Sequence, residues 1–420
     1  MRMRPIVLIV GLSACLFGSV AHAETTLNVL YAIPSNFKDI QEKIAAKFQE
    51  EHPDIKIVFR APPNTYDEAT AQVLRSSLIG DQPDVYFNGI NQVRIVADRG
   101  KAVPISAFAD KTELDNLGYL ASMTSLGDVE GKSYGLPFAI STPVLYVNED
   151  LLTAAGRTIN DFPTNWEGII DLGRRIASTS PGKTGFLFGY NTSGNWLYQA
   201  LVTSHGGRMG AENGCKAIFD DEHGTWALAM LERFTKAGMP DMGWQQGRQA
   251  FAAGEIGIYA ESSASVALME RNVAGKFKMR TMPFPLASGQ GSLPAGGSIA
   301  MILAVNKDKQ RAAWEYVKFA TGPIGQTIMA NGTGYAPGNR KATDDPALLG
   351  GFYDARPNLA TGVKQLPLMT GWYNWAGSNA VKIVDVIQNH INDVAAGRKT
   401  AAETMPRMKR DVDALLQNCP

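Results

Sequence analysis

Aromatic residues in polar, glycine-rich segments are the side chains whose type and spacing point to chemistry in this sequence. They are, in chain order, Trp196, Trp244, Tyr335, Trp372, Tyr373 and Trp375. Each lies near glycine together with Asn, Asp, Ser or Thr, as in the segment 191–195 before Trp196. A flat ring beside amides and hydroxyls offers an apolar face for C–H groups and hydrogen-bonding partners for hydroxyls. The pattern predicts a site for a polyhydroxylated ligand, and packing in a core is the alternative for each single ring.

Patterns for catalysis and metal binding are weak by comparison. The segment 177–184 nearly matches a phosphate-binding loop, but Ala177 replaces the first glycine and the segment follows a predicted helix. The histidines lack the spacing of a metal site, and no G-x-S-x-G motif surrounds a serine. We therefore predict no catalytic residue, no cofactor and no metal. A carbohydrate-active enzyme is the alternative, because many carboxylate pairs are available.

The first 23 residues have the pattern of a signal peptide. Arg2 and Arg4 precede an apolar run that is too short for a comfortable membrane span. The segment Ala21-His-Ala23 is a cleavage site, so we expect the chain to be exported to the periplasm and cleaved near Ala23. Processing as a lipoprotein at Cys15 is the alternative.

Composition argues against a nucleic-acid partner. The 40 basic and 40 acidic residues become 38 and 40 without Arg2 and Arg4, a net charge of about −2.

The roughly 400 remaining residues are too many for one core and enough for two lobes. In an oxidising compartment, Cys215 and Cys419 either form a disulfide or remain separate thiols, and their spacing does not decide between the two.

Two runs of alternating strands and helices must position the aromatic residues. The first run consists of strand 27–31, helix 37–48, strand 55–59, helix 65–79 and strand 84–87. This order predicts a parallel, doubly wound sheet whose ligands bind beyond the carboxyl ends of its strands. Those ends lie after Tyr31, Phe59 and Phe87.

The second run begins near residue 166. It consists of helix 166–177, strand 185–190, helices 196–204, 225–236 and 248–253, strand 256–260, helix 263–272 and strand 279–284. A joint rich in Gly and Pro at 286–297 leads to a strand at 299–305 and a helix at 311–320, and the chain ends in helices within 381–417.

The stretch 135–148 predicts a crossing between two bodies. Its apolar content is that of a buried strand, but Pro137 and Pro143 remove backbone donors, and Ser141 and Thr142 interrupt it. A kinked edge strand is the alternative. With the joint at 286–297 there is more than one crossing, so the pattern predicts two lobes that close about a hinge.

The predicted fold class is therefore α/β, with two lobes built on doubly wound sheets and joined by a hinge of several strands. We expect lobe 1 to contain residues 24–140 and about 298–345. Lobe 2 is expected to contain about 141–297 and about 346–420.

Four segments, in this order along the chain, resemble the bacterial extracellular solute-binding proteins of sugar-importing ABC transporters. They are Ser-Thr-Pro-Val-Leu-Tyr (141–146), Gly-Gly-Ser (296–298), Thr-Gly-Tyr-Ala-Pro (333–337) and Gly-Phe-Tyr-Asp (351–354). The resemblance extends over the chain from residue 24 onward and is greatest to the members that bind glycerol 3-phosphate. It implies a two-lobe fold, a ligand held in the cleft by hinge closure, and docking onto a membrane permease pair.

The resemblance also implies site residues and two departures. The glycerol-phosphate site corresponds to Tyr66, Ser141, Ser262 or Ser263, Gly297 and Tyr335. The position of the carboxylate that holds glycerol hydroxyls is Phe87, and that of the phosphate-binding arginine is Tyr373. Loss of a bidentate guanidinium removes the strongest phosphate contact, so the ligand is expected to be a carbohydrate. The full set of expected ligand-binding residues is Tyr31, Tyr66, Phe87, Asn88, Ser141, Trp196, Ser262, Ser263, Gly297, Tyr335, Trp372 and Tyr373.

The expected function is capture of a mono- or oligosaccharide or a glycoside by a monomeric periplasmic subunit of an ABC importer. The expected partners are the permease subunits in the inner membrane, which work with a cytoplasmic ATPase. The alternative ligand is glycerol 3-phosphate or a glycerophosphodiester. That ligand would need a replacement cation such as Arg248, Arg271 or Arg340.

Overall fold

The computed structural model describes residues 24–417 and 419, so the expected signal peptide and Cys15 lie outside the described residues. Strands β1–β13 of the described chain are Thr25–Leu30, Ile55–Phe59, Val85–Gly89, Asp128–Val129, Lys132–Ser133, Leu136–Ser141, Pro143–Asn148, Thr184–Phe188, Ile256–Ser262, Met279–Pro283, Leu293–Pro294, Gly296–Ile302 and Met369–Thr370.

Helices α1–α17 of the same residues are Pro34–Glu51, Tyr66–Ser77, Val93–Asp98, Lys111–Leu117, Ala121–Thr124, Glu149–Ala154, Trp166–Thr179, Trp196–Ser204, Glu222–Lys236, Trp244–Ala252, Val266–Val273, Lys307–Thr321, Pro323–Gly332, Arg340–Asp344, Pro357–Lys364, Ala380–Ala395 and Ala401–Leu416. Across this part of the chain, no helix has the length and apolar composition needed to cross a membrane.

The first lobe is built on a five-stranded sheet in the order β2-β1-β3-β12-β6. Strands β1, β2 and β3 are parallel, as predicted, while β12 runs antiparallel to both of its neighbours. Helix α1 buries Phe37, Ile40, Ile44 and Phe48, the apolar side of its helical repeat. A capping box at Thr65 begins α2.

The second lobe is built on a four-stranded sheet in the order β10-β7-β9-β8. Strand β7 runs antiparallel to β9 and β10, and β8 pairs with β9 in parallel. Helices α16 and α17 pack against each other and against α9 of this lobe. The two folded units agree with the predicted fold class, and the residue bounds given above for each lobe stay a prediction.

The predicted parallel arrangement is confirmed for β1, β2 and β3, whereas β12 makes the first sheet as a whole mixed, for a topological reason. In each sheet, the strand opposed to the others is the one that enters from the other lobe: β12 in the first sheet and β7 in the second. The remaining main strands point their carboxyl ends at the cleft. A strand that arrives from the cleft must therefore run away from it.

The interruption at Ser141 and Thr142 is the first crossing between lobes. Ser141 ends β6 and pairs with Gly296 in the first sheet, whereas Pro143 begins β7 and pairs with Ser262 in the second. Between them, the backbone N–H of Thr142 donates to Ser263 Oγ at 3.2 Å. The alternative of a kinked edge strand is thereby excluded.

A disulfide joins Cys215 to Cys419, with their Cα atoms 5.5 Å apart. It ties the end of the chain to the loop after α8, and it settles the question that the spacing of the two cysteines left open.

Candidate ligand-binding cleft

The carboxyl ends of strands from both sheets meet at a cleft between the lobes. The first lobe contributes Ile33 and Asn36 after β1 and Tyr66 after β2. The second lobe contributes side chains from the starts of α8 and α10 and from the end of β9. The cleft is lined by Ile33, Asn36, Tyr66, Ser141, Thr192, Ser193, Trp196, Trp244, Arg248, Glu261, Ser262, Ala264, Gly296, Gly297, Tyr335 and Trp372. Its cavity volume is only about 40 Å³, so the lobes stand close together.

Three tryptophans, Trp196, Trp244 and Trp372, line this cleft. The ring centroids of Trp196 and Trp372 are 6.1 Å apart, and Tyr66 meets Trp372 edge to face at 6.3 Å. The indole N–H of Trp196 donates to Pro294 O at 3.1 Å, and that of Trp372 donates to the carbonyl of Gly194 at 3.3 Å. Since the protein uses these N–H groups, the rings offer a ligand their faces and edges.

Arg248 and Glu261 are the charged residues among the described residues that line the cleft. The guanidinium makes two hydrogen bonds to the carboxylate, at 3.0 and 3.3 Å, and its third nitrogen reaches Asn36 Oδ1 of the first lobe at 3.2 Å. It also stacks 4.3 Å from the centre of a Trp244 ring. Burial opposes the charge of Arg248, but the pKa of Arg248 is raised because of the adjacent carboxylate. The two opposite charges form an ion pair, which adds no net charge to the cleft.

Two phenols provide neutral hydrogen-bonding groups. Burial raises the pKa of Tyr335 to about 12 and raises the pKa of Tyr66 well above its ordinary value. Tyr335 is held in place by stacking on Phe37, with ring centroids 5.0 Å apart. Both phenols therefore keep their protons at neutral pH.

Glycines allow the crossing strands to approach the cleft closely. A Cβ on Gly296 would lie 2.6 Å from Ser141 Oγ and 2.7 Å from the Trp196 ring. Gly297 has φ +113°, and a Cβ there would lie 1.9 Å from the carbonyl oxygen of Ala139. Ser141 and Trp196 can therefore pack against the backbone at position 296 because glycine has no side chain there.

Seven of the twelve expected ligand-binding residues line this cleft. They are Tyr66, Ser141, Trp196, Ser262, Gly297, Tyr335 and Trp372. They come from seven separate segments of both lobes, so the fold is what assembles them.

The other five expected residues do not line this cleft, and their part in ligand binding stays a prediction. Phe87 packs on Phe138 at 4.5 Å within the core of the first lobe, and Tyr31 meets Phe59 edge to face. Asn88 is buried and accepts a hydrogen bond from Thr70.

Ser263 and Tyr373 are the remaining two residues of this group. Ser263 is occupied by the backbone of Thr142 at the crossing. Tyr373 donates to Ala211 O at 2.7 Å and lines a second hollow. The direction in which each of these side chains points depends on the alternation along its strand or on the path of the loop at 370–374. An alignment of short segments does not show that direction.

Sequence reasoning did not place Asn36, Ser193 or Glu261 in the site. For Glu261 a signal existed: it is a carboxylate inside the apolar strand β9, and it is fully buried. A buried charge needs a partner, and Arg248 was available thirteen positions earlier. Arg271 and Arg340, the other cations considered as replacements, do not line the cleft.

Comparisons with known proteins agree with this architecture. Residues 43–361 match the family described as bacterial extracellular solute-binding protein. The sn-glycerol-3-phosphate-binding periplasmic protein UgpB of Escherichia coli strain K12 is 23% identical over 435 aligned positions, which cover 94% of this chain and 93% of that protein.

Solved structures share the fold at low sequence identity. UgpB from Mycobacterium tuberculosis in complex with glycerophosphocholine has a TM-score of 0.82 at 17% identity, covering 93% of this chain and 98% of the other. Maltose-bound MalE3 of T. maritima has a TM-score of 0.80 at 18% identity, covering 93% and 100%. These likenesses show the two-lobe fold of periplasmic binding proteins.

Solute-binding proteins hold a ligand and deliver it to an ABC permease without transforming it, so the chain is not an enzyme. Because the match over residues 43–361 spans most of the sequence, this chain belongs to the bacterial extracellular solute-binding protein family.

Proposed function

We propose that this solute-binding protein captures a neutral carbohydrate between its lobes and presents it to the permease subunits of an ABC importer. The observation that supports this most directly is the composition of the cleft. Trp196, Trp244 and Trp372 line it together with polar side chains, and its two charged groups form an ion pair with each other. Aromatic faces suit the C–H surface of a sugar, and a cleft without net charge suits a ligand without charge.

Binding requires the lobes to move apart and close again. The present cavity of about 40 Å³ is far below the size of ordinary small-molecule sites, which are roughly 300–1,000 Å³. A sugar therefore enters an open form, and contacts made to both lobes favour the closed form. We also propose that the protein is a monomer in the periplasm and that its signal peptide is cleaved near Ala23. The bounds of the two lobes are proposed to be those predicted above.

A phosphate-containing ligand is the second candidate, because two of the similar proteins are named for glycerol 3-phosphate or were solved with glycerophosphocholine. For such a ligand, the Arg248 guanidinium would have to give up its ion pair with Glu261 and bind the phosphate. That exchange would leave a fully buried carboxylate without its partner, which costs several kcal/mol, of order 3–5. The neutral ligand avoids this cost.

Titration calorimetry at low and high salt distinguishes the two candidates. The panel contains neutral mono- and oligosaccharides, glycerol 3-phosphate and glycerophosphodiesters. We expect a neutral saccharide to bind with an affinity that is insensitive to salt, since no charge is screened. Binding of glycerol 3-phosphate alone, weakening with salt, would overturn the carbohydrate assignment.

A further inference from the structure

A second, larger hollow lies between the lobes beside the aromatic cleft. Its cavity volume is about 550 Å³, against about 40 Å³ for the cleft. Arg94 and Asp128 line it from the first lobe, and Thr203, Ser292 and Tyr373 line it from the second. Its volume lies within the range of roughly 300–1,000 Å³ that is usual for small-molecule sites.

The hollow and the cleft are separated by the thickness of one loop. Trp372 lines the cleft, whereas its neighbour Tyr373 lines the hollow. Gln199 holds this partition, because its side chain donates to Gly194 O at 3.0 Å and accepts from the backbone N–H of Tyr373 at 3.3 Å. Gln199 lies about one turn of α8 after Trp196, so neighbouring turns of the same helix line the two spaces.

The lining of the hollow is polar and carries two cationic and two anionic side chains, namely Arg94, Arg208, Asp128 and Glu212. Arg94 pairs with Glu130 at 3.2 Å, and Arg208 pairs with Glu212 at 3.8 Å. The hydroxyl of Tyr373 is already bound to a backbone carbonyl, so its ring is what remains for a ligand. Such a wall suits a chain of neutral, hydroxyl-rich units and offers neither an unpaired cation for phosphate nor an apolar surface for a lipid tail.

On the basis of the carbohydrate-binding function proposed above, we propose that this hollow is an outer part of the binding site and that the ligand is a neutral oligosaccharide. One end of the oligosaccharide lies among the tryptophans of the cleft. The following units pass the loop at 370–374 into the hollow, where both lobes contact them. Longer ligands therefore bind more tightly than a single sugar, and they contribute more to closure.

Gly371 provides a means to block the hollow. It lines the hollow, its φ is not in the left-handed region, and a Cβ built on it meets nothing within 4 Å. Gly371→Phe therefore fills the space without backbone strain. Gly289 has the same free surroundings and ordinary φ but does not line the hollow, so Gly289→Phe is the matched control. Gln290→Trp blocks the hollow from a second, exposed position.

The experiment measures affinity against chain length by calorimetry, using glucose, mannose and galactose oligomers of one to five units in several linkages. Wild type and Gly289→Phe should bind the longer oligomers at least about tenfold more tightly than the monosaccharide. In Gly371→Phe and Gln290→Trp the ratio should fall towards one, with thermal unfolding of each variant confirming that it is folded.

Equal affinity of wild type for one unit and for five, or a ratio unchanged by both blocking variants, would overturn the hollow as part of the site while leaving carbohydrate binding intact. If no saccharide of any length binds to wild type, the proposed function itself is overturned, and the inference with it.

Discussion

The carboxylate of Asp67, at the start of α2 in the first lobe, accepts a hydrogen bond from the hydroxyl of Ser193 in the second lobe at 2.8 Å. The same oxygen accepts from the backbone N–H of Gly194 at 3.0 Å, and the other oxygen accepts from Gln92 at 2.6 Å. Burial raises the pKa of Asp67, and the three donors partly offset that effect. Asp67 therefore links the lobes in the closed form.

Asp67→Ala should weaken closure. The substitution leaves three donors without their acceptor, at about 1–3 kcal/mol for each one that water does not reach. We expect ligand affinity to fall by at least about tenfold, measured by calorimetry. Small-angle scattering should show a larger radius of gyration at equal ligand concentration. The control is Asp171→Ala on the exposed face of α7, where the carboxylate pairs with Arg174. Unchanged affinity and radius in Asp67→Ala would refute the link.

Glu261→Gln should destabilise the protein and change its ligand preference. It leaves Arg248 as a buried cation without its partner, which is expected to lower the free energy of unfolding by about 3–5 kcal/mol. The exposed pair Asp171–Arg174 gives the comparison, since Asp171→Asn should cost about 1 kcal/mol or less. Denaturant unfolding measures both.

The same variant gives the cleft a positive charge. Binding of glycerol 3-phosphate to Glu261→Gln should appear or strengthen and should weaken in high salt. If Glu261→Gln does not bind glycerol 3-phosphate, Arg248 does not face the ligand.

Trp196→Ala should reduce affinity by about 1–3 kcal/mol, the value of a stacked ring in other systems. Trp166 is the matched control: it is equally buried but packs on Phe284 at 4.9 Å, within the core of the second lobe and away from the cleft. Trp166→Ala should lower stability and leave affinity per folded molecule as it was. If Trp196→Ala behaves like Trp166→Ala, Trp196 is only a packing residue.

From the contact between His205 and His223 we predict a loss of stability in mild acid. Their Nδ1 atoms are 2.9 Å apart, which requires at least one neutral ring, and His205 stacks on Trp226 at 4.5 Å. Burial, and then His223, lowers the pKa of His205, while Asp221 and Glu222 oppose the shift. A lowered pKa means that the neutral form stabilises the fold above the ordinary value of 6.5 and that this stability is lost as pH falls through the lowered pKa.

We therefore expect the melting temperature to decrease between pH 7 and pH 5, with a loss on the order of 1 kcal/mol for the broken hydrogen bond. His223→Gln removes the repulsion and should reduce this dependence, while the part due to burial of His205 remains. A wild-type melting curve that does not differ from that of His223→Gln across this range would exclude the histidine pair as its cause.

Local signals predicted the elements better than they predicted the contacts. Helix α8 has its predicted bounds. The predicted break at Ser141 and Thr142 is a crossing between lobes, and it could be predicted because a proline affects the backbone within a few residues of itself. Strand direction in the first sheet depended on where β12 enters, which no short segment records. The place of Phe87 in the core and the pairing of Glu261 with Arg248 likewise depend on partners distant in the chain or on side-chain direction.

The position of β12 has a consequence for biogenesis. All four strands of the second sheet lie between residues 143 and 283, so that sheet is complete once Pro283 has been synthesised. The first sheet has β12 in its interior, between β3 and β6, and is complete only once Ile302 has been synthesised. The sheet whose strands begin first in the chain is therefore completed last. Until then β3 and β6 each present an unpaired edge, the kind of surface on which nascent chains aggregate.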